Sequence, residues 1–317
     1  MSDERRGEDV PGEDLPGEDE FRSGFVCFVG RPNTGKSTLT NALVGDKIAI
    51  TSNRPQTTRH TIRGIVNLPA AQLVLVDTPG LHRPRTLLGK RLNELVLDTL
   101  SEVDIICLCI PADEAIGPGD KWIIEQIRPL EKRTKVVGIV TKLDKVGPGK
   151  VAQQLMALSE LLGPAAEVIP VSAKSGKQLD VLTDLLVSAC EPGPAFYPDG
   201  ELTDEPEEVL MAEFIREAAL EGVRDELPHS LAVTIEEVIE REDSDPPMVD
   251  VHALLYVERD SQKGIIIGHR GARLKEVGTV ARQQIEKLLG CRVYLDLHVK
   301  VAKDWQRDPK QLGRLGF

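Results

Sequence analysis

The chain has 317 residues, 41% of them hydrophobic, and a formal net charge of −12. That is apolar enough to build packed cores and too long for one small domain, so a wholly disordered chain is excluded and two domains are expected. Five cysteines without a CxxC pair argue against a disulfide framework or a cysteine zinc site; no apolar run approaches the ~18 residues that span a bilayer and no apolar leader opens the chain, so a reducing cytoplasmic setting is expected.

The charge is unevenly placed. Residues 1–20 hold nine acidic and two basic side chains, 21–198 hold 17 and 21, 199–249 hold 17 and three, and 250–317 hold eight and 13. The global balance speaks against a nucleic-acid partner, but the basic last block reopens the question. The first segment repeats GEDVP at 7–11, GEDLP at 12–16 and GEDE at 17–20. Such residues bury too little surface to offset the entropy of ordering, so 1–22 is expected to be a disordered acidic tail.

From Gly24 onward, strand and helix signals alternate. Gly24–Gly30, Leu73–Val76, Ile105–Ile110, Val136–Val140 and Val168–Val171 are short apolar runs of the kind buried on both faces of a parallel sheet. Cys27, Cys107 and Cys109 fall inside these runs and are expected to be buried thiols. Leu88–Leu100, Lys121–Leu130, Val151–Leu162 and Leu179–Cys190 have helical length and periodicity. Thr61–Asn67 is expected at the edge, antiparallel. The fold class over 23–191 is therefore α/β with a mostly parallel sheet. Residues 192–206, with four prolines and two glycines, read as a semi-rigid linker. Beyond it the order becomes α-β-β-α-α-β over 207–305: Glu207–Glu221, Leu231–Glu240, Val251–Glu258, Ser261–Ile267, Ala272–Leu289 and Arg292–Val301. Residues 306–317 are left as a C-terminal tail.

Gly30, Arg31, Pro32, Asn33, Thr34, Gly35, Lys36, Ser37 and Thr38 carry the pattern G-x-x-x-x-G-K-[ST] after a strand and before a helix. Glycines let backbone N–H groups wrap phosphate oxygens, and the helix start adds the positive end of its dipole. Lys36 is expected to bridge the β- and γ-phosphates and Ser37 to hold Mg²⁺. Asp77, Thr78, Pro79 and Gly80 end a second strand, where the carboxylate can reach Mg²⁺ through water and the Gly80 amide can sense a γ-phosphate. Thr141, Lys142, Leu143 and Asp144 end a third. Asp144 can accept from guanine N1–H and its exocyclic amine, an arrangement adenine lacks, and the Lys142 stem can cover the base. Ser172, Ala173 and Lys174 end a fourth and can add backbone contacts to the guanine oxygen.

The order and spacing of these motifs, with Thr57 and Thr58 between the first two, resemble a GTPase of the translation-factor-related class. Gln56, Thr57, Thr58, Arg59 and His60 make the sequence similar to the Era family, bacterial GTPases of small-ribosomal-subunit assembly. The resemblance implies Thr58 as the switch threonine that closes on Mg²⁺ and the γ-phosphate. It thus implies Ser37, Thr58 and Asp77 around the metal, and Lys36, Thr58, Asp77 and Gly80 as the catalytic set. Three features depart from or refine that pattern. Thr141 stands where the guanine motif usually begins with Asn, so support of the phosphate loop is expected to weaken. Leu81 stands where many small GTPases carry a water-positioning Gln, so slow intrinsic hydrolysis is expected. Asn33 matches the position that coordinates K⁺ in potassium-stimulated relatives, which implies faster hydrolysis in K⁺. The basic group Arg83, Arg85, Lys90 and Arg91 is either a solvated face or a contact to RNA or the second domain.

In the second domain Gly268, His269, Arg270 and Gly271 form a G-x-x-G loop between two helices, with Lys263, Arg273 and Lys275 nearby. With the element order, this resembles a type II KH domain, an α+β fold whose loop brings the RNA backbone to a helix start while the adjoining groove holds about four unpaired nucleotides. Ile265, Ile266 and Ile267 are expected to divide between core and groove floor. Glu213, Arg216 and Glu217, then residues 226–230, resemble the family's interdomain stretches, and residues 299–305 its basic end. Trp305 is expected either to stack on a base or to pack. The family resemblance covers about 24–317 and implies binding near the 3′ end of 16S ribosomal RNA, association with the 30S subunit, a monomer, and loose peripheral attachment to the inner membrane surface. A metabolic kinase and an RNA scaffold with a structural nucleotide are the competing readings, separated by GTP–ATP competition and by a turnover assay.

Overall fold

The computed structural model describes residues 21–52, 54, 57–223, 227–241 and 245–317, without the side chains of Pro228 and His229. The acidic repeat of residues 1–20, Gln56 and Glu226 lie outside the described residues.

The N-terminal domain is built on β1 (Arg22–Val29), α1 (Lys36–Val44), β2 (Ile62–Leu68), β3 (Ala71–Asp77), α2 (Leu87–Glu102), β4 (Ile105–Pro111), α3 (Pro118–Ile127), β5 (Lys135–Thr141), α4 (Pro148–Leu162), β6 (Glu167–Pro170) and α5 (Leu179–Ala189). Its sheet runs β2-β3-β1-β4-β5-β6, parallel except for the edge strand β2. The central strands β3 and β4 are buried at every position, which is why they read as unbroken apolar runs rather than alternations. Two cores flank the sheet. One gathers Val96, Leu100, Ile123 and Leu158 from α2, α3 and α4; the other gathers Leu39, Leu182 and Leu186 from α1 and α5. Cys27, Cys107, Cys109 and Cys190 are buried thiols. Arg22 lies in β1 opposite Ala71, so the expected disorder through residue 22 ends before it.

The C-terminal domain consists of α6 (Glu207–Leu220), α7 (Leu227–Ser230), β7 (Ala232–Arg241), β8 (Met248–Val257), α8 (Asp260–Ile267), α9 (Ala272–Leu289) and β9 (Arg292–Val301), followed by α10 (Pro309–Arg314). The sheet order is β7-β8-β9, antiparallel then parallel. Helix α9 presents Val277, Ala281 and Ile285, spaced one helical turn apart, to that sheet and ends at Gly290 in the left-handed region (φ 67°).

Two segments differ from their expected roles. Residues 192–206 are a docked strap rather than a linker between independent bodies. The buried Gln72 side chain accepts from Phe196 N (2.7 Å) and Tyr197 N (3.0 Å) and donates to Tyr197 O (2.9 Å). Further along, Ile65 N donates to Leu202 O (2.9 Å), so the strap covers the open edge of β2. Residues 306–317 are not a loose tail. Leu312 and Leu315 pack with Trp305, Leu254 and Tyr256 of the C-terminal domain against Leu88 and Leu92 of α2. Trp305 is fully buried and donates to Ser230 O (2.9 Å), so it packs rather than awaiting a base.

Candidate nucleotide site and nucleic-acid interface

The C-terminal ends of β1, β3 and β5 open onto a cavity of about 500 Å³. The loop after β1 reaches α1 through Asn33 (φ 64°) and Gly35 (φ 97°), both left-handed. A Cβ on Gly30 would lie 2.6 Å from Cys109 O, and one on Gly80 would lie 2.6 Å from Pro32 N. Only glycine permits these two loops to pack backbone on backbone, a contact sealed by Leu81 N donating to Gly30 O (3.1 Å). Lys36 lies along the loop and donates to Gly30 O (3.3 Å) and Arg31 O (3.0 Å). Burial pushes its ammonium pKa down, against the attraction of Asp77.

Three oxygen-bearing side chains meet beside the lysine. Ser37 Oγ lies 2.9 Å from Thr58 Oγ1, and Thr58 Oγ1 donates to Asp77 Oδ2 (3.4 Å). Asp77 is fully buried and its Oδ1 has no hydrogen-bond partner. Burial raises its pKa to about 6, against the neighbouring Ser37 and Thr58 hydroxyls and the charge of Lys36. A buried carboxylate with an unpartnered oxygen beside two hydroxyls is a donor set suited to a hard divalent cation. Thr57, by contrast, turns its hydroxyl to Arg54 O (2.6 Å).

At the other end of the cavity, Lys142 takes the left-handed conformation (φ 60°) and Asp144 Oδ1 accepts from Ser172 Oγ (2.7 Å). That bond fixes the carboxylate plane while Asp144, Ala173 and Lys174 line the cavity. Thr141 donates to Thr34 O (2.5 Å), so its hydroxyl does tie this strand to the phosphate loop although the amide of an Asn is missing.

Pro32, Asn33, Gly35, Lys36, Ser37, Thr38, Thr58, Gly80, Thr141, Lys142 and Asp144 line the cavity together. Others face elsewhere. Arg31 is drawn outward to Asp120 (2.7 Å) and Glu114 (3.2 Å). The Thr34 and Thr78 hydroxyls bond to Arg31 O and Phe28 O. Pro79 is buried, Leu81 is in the domain core, and Leu143 packs against that core. Thr51, Ser52 and Lys145 line the cavity and were not singled out by sequence; they lie in connecting segments outside the motifs.

In the C-terminal domain, the G-x-x-G loop holds Arg270 at φ 51° between Gly268 (φ 71°) and Gly271 (φ 79°), and His269 and Arg270 are exposed. Lys275 is exposed and Lys263 half-buried. Arg273 differs: it donates to Ala218 O (3.3 Å) and Glu221 O and pairs with Glu276 (2.7 Å), so it fastens α9 to α6. Ile266 is core, Ile267 packs against it, and Ile265 is 56% exposed beside the loop. A groove runs from Gly271 along Leu274, Gly278 and Arg282 of α9 and against Leu295 and Leu297 of β9. Of its lining, Gly271 and Lys275 were read from sequence. Gly278 lowers the groove wall in mid-helix, a residue whose helix-breaking cost is the one available hint.

The family described as 50S ribosome-binding GTPase matches residues 25–142, and the KH domain family matches residues 226–306. GTPase Era of Mycolicibacterium smegmatis is 77% identical over 298 residues, covering 94% of this chain and 99% of its own. The chain belongs to the Era family. It is therefore a GTPase whose second domain is a KH domain. A tyrosine-to-alanine variant of Aquifex aeolicus Era bound to GDP·AlF4− superposes with a TM-score of 0.89 at 37% identity, covering 93% of this chain and 99% of that one. An Era complex with MgGDPNP and nucleotides 1506–1542 of 16S ribosomal RNA gives 0.88 at 38% identity with the same coverage. Both Era structures span the two domains, so the family likeness extends to the way the GTPase and KH domains are joined.

Proposed function

We propose that this GTPase is a guanine-nucleotide switch that binds the 3′ region of 16S ribosomal RNA through its KH groove and assists maturation of the 30S subunit. The observation that carries it is the cluster of Ser37, Thr58 and Asp77, whose threonine belongs to a segment that also touches the KH domain. The Era complex with a 16S fragment supports the choice of RNA, and the exposed His269, Arg270 and Lys275 beside the α9–β9 groove supply a matching basic edge.

In this reading Ser37, Thr58 and Asp77 hold Mg²⁺, and the buried unpartnered Asp77 oxygen fits that role. The ion supplies positive charge to the phosphate oxygens. Lys36 turns from its carbonyl partners to the β- and γ-phosphates, the amides of residues 33–37 enclose them, and Asp144 selects guanine. Leu81 is buried and offers no group to orient water, which favours slow turnover. Asn33, at the left-handed turn of the loop, is the proposed K⁺ contact. No helix among the described residues is long and apolar enough to cross a membrane. Peripheral membrane attachment rests on the family resemblance alone.

Binding of a 16S 3′-end oligonucleotide and a scrambled control to protein loaded with GDPNP or GDP tests the reading. Tighter, sequence-selective binding with GDPNP, lost in Arg270→Asp, is expected. Equal affinity in the two nucleotide states would refute it.

A further inference from the structure

The segment from Asp46 to His60, which carries Thr58, is bonded at both ends to the KH domain. At its start, Ile50 is 1% exposed and belongs to the KH core, with Leu210, Phe214 and Leu255. Thr51 N donates to Glu217 Oε1 (2.8 Å), and Lys47 pairs with Glu217 Oε2. At its end, Arg216 of α6 donates through Nη2 to Thr57 O, while its Nε donates to Glu213 Oε1 (2.7 Å). Arg59 donates to Leu231 O (2.6 Å) and lies over the Trp305 ring (5.7 Å). Thr58 is thus bracketed: its own hydroxyl faces Ser37 and Asp77, and the residues on either side are held by the KH domain.

Burial makes these contacts matter. Arg216 and Glu213 are 2% and 4% exposed. Burial raises the Glu213 carboxyl pKa, and the adjacent Arg216 charge and hydrogen bond more than reverse this, keeping it low. A guanidinium locked to a buried carboxylate has little freedom to follow a moving partner. Its Nη1 is buried with no hydrogen-bond partner, so losing Thr57 O would leave the group still less satisfied. The segment's position and the KH domain's position are therefore tied together.

We propose that Arg216 and Glu217, in the KH domain, are positioning residues for GTP hydrolysis: they hold the 46–60 segment so that Thr58 stays at the Ser37–Asp77 site. This rests on Thr58 being the group that closes on the metal and γ-phosphate.

The test is single-turnover GTP hydrolysis beside GTP and GDP affinity for Arg216→Ala, Glu217→Ala, Thr58→Ala and the Thr58→Ala/Arg216→Ala double variant. Because Arg216→Ala strands Glu213 in the core, E213Q/R216M is measured too. Arg216→Ala, E213Q/R216M and Glu217→Ala should each slow hydrolysis about tenfold, the scale of one lost charge-assisted hydrogen bond, and leave GDP affinity within about twofold. Adding Arg216→Ala to Thr58→Ala should slow hydrolysis no further, because one acts through the other. A general loss of folding would instead lower GTP and GDP affinity together. Unchanged hydrolysis in Glu217→Ala and E213Q/R216M, with Thr58→Ala impaired, overturns the proposal. Unimpaired Thr58→Ala overturns the underlying role of Thr58 instead.

Discussion

Thr141 shows what a single residue type can and cannot disclose. Its departure from Asn is visible in the sequence and argues for a weakly supported phosphate loop. The structure places its hydroxyl 2.5 Å from Thr34 O, so the short side chain keeps the strand-to-loop bond and lacks only the further donor that an Asn amide would offer. Thr141→Ala removes the donor and leaves a buried carbonyl unsatisfied, at about 1–3 kcal/mol. Because the same loop serves both nucleotides, GTP and GDP affinity should fall together, by roughly 5- to 150-fold, in a fluorescence titration. A loss confined to GTP would show that Thr141 acts on the γ-phosphate instead. The candidate nucleotide site was legible for a related reason. Lys36, Ser37, Asp77 and Asp144 are fixed by short local patterns at strand ends. Arg31 and Arg273 match the same expectations by position and are drawn away by Asp120 and by the end of α6, partners that no local pattern specifies.

At the scale of elements, helices and strands were readable wherever burial dictates composition. The paired glycines and prolines of residues 192–206 announced a break in the fold, and so they read as a linker. What they could not reveal is Gln72, 124 positions earlier than Phe196, whose side chain binds that segment through both its oxygen and its nitrogen. Gln72 is 1% exposed. Gln72→Leu keeps the volume, strands the Phe196 and Tyr197 amides, and should destabilise the N-terminal domain by about 2–3 kcal/mol. Urea unfolding should show the midpoint falling at an unchanged slope. An unchanged midpoint would mean that the strap lies on the edge of β2 without stabilising it. The same strap leads directly into α6, so the element that protects the sheet edge also delivers Glu213, Arg216 and Glu217 to the nucleotide-binding domain.

For the whole molecule, the decisive contact is the apolar seam in which Leu312 and Leu315 join Trp305 and Tyr256 to Leu88 and Leu92 of α2. Helix α2 begins a few residues after Gly80, so this seam links the loop that ends β3 to the KH sheet just as α6 links the 46–60 segment. Arg91 adds a hydrogen bond to Phe317 O (2.5 Å), which gives one member of the basic group after Gly80 a partner in the last helix's segment. If GTP favours one arrangement of the domains and RNA favours the same one, each strengthens the other by an equal factor, typically 5- to 150-fold. The seam is one of two contacts that can carry that factor, the other being α6 with the 46–60 segment. Leu312 is fully buried there, and Leu312→Ala should cost about 2–4 kcal/mol in seam packing while leaving both ligand sites untouched. RNA should then bind with nearly the same affinity in the GDPNP and GDP states. Leu158→Ala, at an equally buried leucine of α4 in the core it shares with α2 and α3, should lose comparable stability and keep the difference between the two states. If both variants kept it, the seam would be a passive joint, and coupling would run through α6 and the 46–60 segment alone.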